Sequence, residues 1–141
     1  EAGEFAYTLN LTDIATGWME FRAIKNRAQI WVHQVMKDIE KELPFKLLGL
    51  DCVNVSAFIN GIMIRYCKEG GITFARTRPY KKDDTCYIEQ KNWSVIRRGI
   101  GYIRIGTERE LKLLEELYKH YRLYVNFIEA GYEAKREDKG R

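Results

Sequence analysis

The chain predicts an α/β fold in which helices pack on a mixed sheet. Three observations carry this expectation. Strand-length apolar runs alternate with segments whose apolar residues recur every three or four positions, the pattern of helices covering a sheet. The 141 residues, 45% of them apolar and 31% charged, suffice for one domain with its own core. No stretch approaches the roughly 20 consecutive apolar residues of a membrane helix, so a membrane partner is not expected.

Phe5, Tyr7, Leu9 and Leu11 alternate with smaller or more polar neighbours, as in a half-buried strand. Residues 12–17 supply turn residues, and the stretch from Trp18 to Ile24 reads as the returning strand of a hairpin. Asn26, with Gln29 three positions on, has the spacing of a capping box. Ala28, Val32, Val35, Ile39 and Leu43 then form one apolar helical face, which Pro44 ends. His33 lies on this helix without a second ligand at useful spacing and reads as an ordinary boundary histidine. The run from Phe45 to Leu50 has strand length. A helix is expected from Ser56 to Glu69, with Phe58, Ile59, Ile62 and Tyr66 inward and Gly70-Gly71 as its stop. Ile72 to Ala75 is a further short strand.

A basic loop follows, then a helix with Glu89 near its start and Arg97 and Arg98 near its end. Thr107 with Glu110 marks a second capping box. Behind it Leu111, Leu114, Tyr118, Tyr121, Val125 and Ile128 give a long amphipathic helix ending near Gly131. Residues 1–130 are expected to form the core, and the densely charged tail, 131–141, to fray.

The first residues show neither a basic region nor an apolar run, so no signal peptide is expected. Three cysteines, none in a Cys-x-x-Cys spacing, suit free thiols in a reducing compartment. The net charge of +4 is unevenly placed. Between Arg76 and Arg104 stand eight Lys/Arg and three Asp/Glu, whereas the rest of the chain holds 16 basic and 17 acidic residues. The excess positive charge thus occupies about a fifth of the chain, as on a polyanion-facing surface. A plain solvated face would also account for it.

Asp13-Ile14-Ala15-Thr16-Gly17-Trp18, the loop Arg76-Thr77-Arg78-Pro79-Tyr80-Lys81-Lys82, and Glu89-Gln90-Lys91-Asn92-Trp93-Ser94 carry a resemblance. From about Gly3 to Ala130 the chain resembles the catalytic core of retroviral integrases and bacterial insertion-sequence transposases, more closely the bacterial branch. The resemblance implies a ribonuclease H-like mixed sheet with flanking helices. It also implies a bacterial cytoplasmic protein, DNA as partner, and dimers or larger assemblies. Such enzymes hold two Mg²⁺ or Mn²⁺ ions on two aspartates and a glutamate to perform strand transfer at a DNA phosphate. Glu89 matches the glutamate; read without the resemblance, a glutamate near a helix start is a favourable dipole partner.

The departures from the family pattern are as informative. Where the second acid belongs stands Val53, and the family's Asp-Asn-Gly-x-Glu-Phe appears as Val53-Asn54-Val55-Ser56-Ala57-Phe58. Valine cannot ligate a hard cation, and Asp51, roughly 6–7 Å back along a strand, is a weak stand-in. The first acid sits on a strand that precedes this chain's hairpin in the family and is central in its sheet, so the chain reads as an N-terminally truncated core. Asp13 belongs instead to the hairpin turn. The metals are therefore expected to be poorly held. DNA would be gripped by Arg76, Arg78, Lys81, Lys82, Lys91, Arg97 and Arg98, with Lys91 and Arg98 on one face of the Glu89 helix. Tyr80 could stack on a base or sugar, and Trp93 is expected in the core. Strand transfer is expected of a longer parent protein and not of this chain; the alternative is a non-catalytic DNA-binding module or remnant.

Overall fold

The first two strands form the expected hairpin. β1 (Tyr7–Thr12) and β2 (Met19–Ile24) pair antiparallel, in register from Tyr7 opposite Ile24 to Thr12 opposite Met19. Asp13 fastens the turn: its Oδ2 accepts from Thr16 N at 2.9 Å and from Thr16 Oγ1 at 2.5 Å. Gly17 N donates back to Asp13 O at 2.8 Å. Gly17 takes φ +73°, a left-handed conformation open to glycine and costly for other residues. The computed structural model describes residues 5–26, 29–52, 60–76, 82–101 and 104–130.

α1 (Gln29–Glu42) buries Val32, Met36 and Ile39 and ends two residues before Pro44. Ala28 lies outside the described residues. β3 (Gly49–Cys52) starts four residues later than the apolar run suggests. Phe45 and Leu48 are exposed, because pairing with β4 (Thr73–Arg76), not hydrophobicity, sets where the strand begins. β3 and β4 run parallel, from Gly49 opposite Thr73 to Cys52 opposite Arg76.

α2 (Gly61–Glu69) is shorter than expected. Asn60, extended at φ −140° and ψ 164°, caps it by accepting from Met63 N at 2.9 Å. Met63, Tyr66 and Cys67 face inward while Ile62 is exposed, and Phe58 and Ile59 lie outside the described residues. At the far end Gly71, with φ +65°, stops the helix.

α3 (Lys82–Lys91) continues without a break through a π-helical stretch, Asn92–Arg97, to Ile100. Its start corrects the sequence reading: Glu89 is the eighth residue, well beyond the first turn. α4 (Glu108–Leu123) begins with the expected capping box between Thr107 and Glu110 and continues as a π-helix through Glu129. Leu114, Tyr118 and Val125 are buried as expected, but Ile128 is exposed. Bonding from i to i+5 puts an additional residue into each turn, so the apolar stripe slips out of phase after Leu123. The tail, 131–141, lies outside the described residues.

The four described strands thus make two two-stranded sheets with helices packed against them. One core joins Leu9, Ile24 and Leu50 to α1 and α2. The other joins Met19, Phe21 and Ala23 of β2 to the π stretch after α3 and to α4. Phe21 meets the Tyr118 ring edge-on at 5.1 Å.

Candidate nucleic-acid interface

A cleft of about 480 Å³ lies between the two sheets. Every residue from Thr8 to Ile14 and from Gly49 to Cys52 lines it, whereas β2 contributes only Glu20 and β4 nothing. A strand face would present alternate residues, so consecutive lining residues mean that the cleft runs along the open edges of β1 and β3. Thr12 Oγ1, in its wall, is buried without a hydrogen-bond partner among the described residues. Ile88 of α3 closes one side.

Sequence reasoning missed the charged knot beside this cleft. Glu20, 1% exposed, accepts from Trp18 Nε1 at 2.8 Å, Arg22 Nη1 at 3.0 Å and Arg122 Nε at 2.5 Å. Arg22 reaches on to Glu42 at the end of α1, at 2.6 Å. The Arg122 guanidinium is pushed above its ordinary value, first by its hydrogen bond to Glu20. One buried carboxylate thereby ties the hairpin to the ends of α1 and α4. No local pattern signals it, because Arg122 lies 102 residues away in the chain. The neighbouring Asn126 Nδ2 donates to Met19 O at 2.7 Å, and its Oδ1 accepts from Met19 N at 2.8 Å. A side-chain amide thus pairs with the backbone of β2 as a strand would.

Of the expected site residues, Asp51 is exposed on β3 and lines the cleft. Glu89 is exposed on α3, next to Ile88, which lines the same cleft. Asp13 is spent on the turn, as expected. Val53, Arg78, Lys81 and Tyr80 lie outside the described residues, and Arg76 and Lys82 are placed by their backbones alone, at the end of β4 and the start of α3. Arg97 and Arg98 are exposed, but Lys91 is half-buried. Of this pair, expected on one exposed face, Arg98 is exposed and Lys91 is partly covered.

Trp93 corrects another expectation, being 56% exposed and not in the core. The helical period could have shown this. Ile88, Asn92, Val95 and Gly99 follow at spacings of four, three and four on the inner face, which puts Trp93 outside. His33 packs edge-on against Tyr66 at 5.4 Å, as a boundary histidine does. Cys52, Cys67 and Cys86 are free thiols, the first two buried.

As a metal donor set these residues fit poorly. The side chain at position 53 offers no ligand atom, and among the described residues no cluster of three or more His, Cys, Asp or Glu could hold an ion. No described helix is long and apolar enough to cross a membrane. No family model matches the chain. Over 131 residues it is 36% identical to an uncharacterized protein, y4rM, of Sinorhizobium fredii. That match takes in 93% of the chain but 37% of the relative, so the chain spans well under half the length of the protein it resembles.

Proposed function

We propose that the chain is a core of the integrase and transposase type that grips a DNA backbone and does not itself carry out strand transfer. The cleft between the open edges of β1 and β3 supports this reading most. A ribonuclease H-like sheet has one more strand at that place, between the hairpin and the parallel pair. Asp51 stands at the cleft, on the strand that leads to the position of the family's second acid, and Ile88, the residue before Glu89 on α3, closes one side of it. The concentration of positive charge between Arg76 and Arg104 supports the DNA-binding half of the reading. Valine at position 53 argues against chemistry, since a β-branched alkyl group has no lone pair for Mg²⁺ or Mn²⁺. Glu89 is then an acid whose second partner position is held by valine, and no catalytic step is derived from it.

Duplex binding read by fluorescence anisotropy across salt concentrations tests the grip. Neutralising Lys82, Lys91, Arg97 and Arg98 together should weaken binding uniformly across sequences. Every phosphate deprived of its cation should flatten the salt dependence, by a slope of about 0.9. Unchanged binding would remove the polyanion surface from this helix. No Mg²⁺- or Mn²⁺-dependent nicking is expected, and nicking abolished by Glu89→Gln would overturn the inactive assignment. Val53→Asp in a longer chain that supplies the additional strand separates a disabled enzyme, which should regain metal binding, from a dedicated binding module.

A further inference from the structure

α3 and its π-helical extension turn two unlike faces to their surroundings. On the inner side Asn92 Oδ1 accepts from Asn10 Nδ2 of β1 at 2.6 Å, and Val95 O accepts from Tyr121 Oη at 2.8 Å. Val95 and Ile96 are buried, and a Cβ added at Gly99 would sit 2.1 Å from Tyr121 Oη, so the tyrosine occupies the space that glycine leaves. These contacts fix the π stretch against both β1 and α4. On the outer side Glu89, Trp93 and Arg97 follow at spacings of four, with Gln90 beside them, and all four are exposed.

A tryptophan left 56% exposed on an anchored helix keeps a large flat apolar surface in water, where burial is normally favourable. Two exposed leucines sit differently. Leu113 and Leu117 of α4 lie among Glu115, Glu116 and Lys119, a mixed and mainly acidic neighbourhood. Trp93 lies within the segment that holds all of the chain's excess positive charge, four residues before Arg97 and five before Arg98. An exposed indole about one helical turn from two exposed arginines matches one ligand in both of its parts. An aromatic base can lie on the ring while the phosphates that flank it meet the cations. In a closed duplex the faces of the bases are already stacked on each other, so only an unpaired base can use the platform.

We propose that Trp93 is a stacking platform for an unpaired nucleic-acid base whose flanking phosphates lie on Arg97 and Arg98. This rests on the nucleic-acid reading of the surface and adds a preference to it: single-stranded or frayed segments over closed duplex. Recognition is tolerant of sequence, because every base has a π-face.

The full chain, titrated with a short oligothymidylate and with a closed hairpin duplex of matched charge, tests this. Oligothymidylate should quench tryptophan emission, and Trp93→Phe should remove most of the quenching while holding affinity within about three-fold, since phenylalanine also stacks. Trp93→Ala should weaken oligothymidylate binding roughly 5- to 100-fold, the loss of one stacked base, and leave duplex binding within two-fold. Replacing Arg97 and Arg98 by alanine should weaken both. Equal loss on strand and duplex, or no loss on either, overturns stacking and leaves the polyanion surface standing. Binding of neither probe by the wild-type chain overturns both. A concentration-dependent emission change without any nucleic acid, lost in Trp93→Ala, overturns the proposal in favour of a protein interface.

Discussion

The hairpin and the parallel pair have two strands each and are held in opposite ways. β1 and β2 are joined by a turn that carries its own hydrogen bonds, and β2 is buried on both faces except at Arg22. β3 and β4 meet only through a crossover containing α2. On β3 the burial alternates: Leu50 and Cys52 are covered, Gly49 and Asp51 are exposed. Parallel strands are normally covered on both sides. A pair this short with a bare face and an open edge depends on α1 and α2 for its support. The difference teaches where rigidity resides: β2 is locked by buried charges and a closed turn, while β3 keeps a bare face, and both β1 and β3 line the cleft.

The strongest way to break this contrast is to remove the key. Glu20→Ala leaves two arginines and the Trp18 indole N–H facing a gap, and should cost about 3–5 kcal/mol in urea denaturation, as for one partner lost from a buried ion pair. A loss below about 1 kcal/mol would mean that the hairpin half is not held by its charges.

Alkaline unfolding sharpens the other side. Burial pushes the Cys52 thiol up to about 12, with the Asp51 and Cys67 charges adding to it. The unfolded thiol ionises near its ordinary 9.0 while the native one resists. Stability should therefore be whole below pH 9 and fall as pH rises toward 12, by up to roughly 1.4 kcal/mol per pH unit. Cys52→Ala should flatten that fall in urea titrations between pH 8 and 11; an unaltered slope would assign the alkaline loss to other groups, such as Tyr66, whose hydroxyl burial also pushes upward.

The smallest effect belongs to the turn. Gly17→Ala must hold φ +73°, and its new Cβ would lie 3.0 Å from Tyr87 Oη. A loss of about 1–2 kcal/mol is expected, read as a lowered thermal midpoint. No change would show that the turn relaxes freely and does not set the hairpin register.

What the sequence made legible was local. The hairpin, the Thr107–Glu110 box and the inward stripe of α1 each rest on neighbours within a few positions. The errors have a common origin in distance. β3 begins where β4 lets it, and the run from Phe45 to Leu48 misled because apolar composition does not specify a pairing partner. Ile128 failed because hydrogen bonds of the π type change the period without a mark in the sequence. Trp93 differs, because Ile88, Asn92 and Val95 recur at helical spacing on the opposite side and so mark its outward position in the sequence. At the site, the resemblance named Glu89 and offered Asp51 as a weak stand-in, but the cleft that Asp51 lines could not be read from the sequence, since it lies between segments far apart in the chain.

Asn126 has a consequence for how such a molecule can add neighbours. By pairing with both backbone groups of Met19, it plugs the outer flank of β2 at that point, where a foreign strand would otherwise find a template. Lengthening of the hairpin sheet is thereby steered away from that flank and toward β1. One carboxamide gives an otherwise symmetrical ribbon a direction of growth.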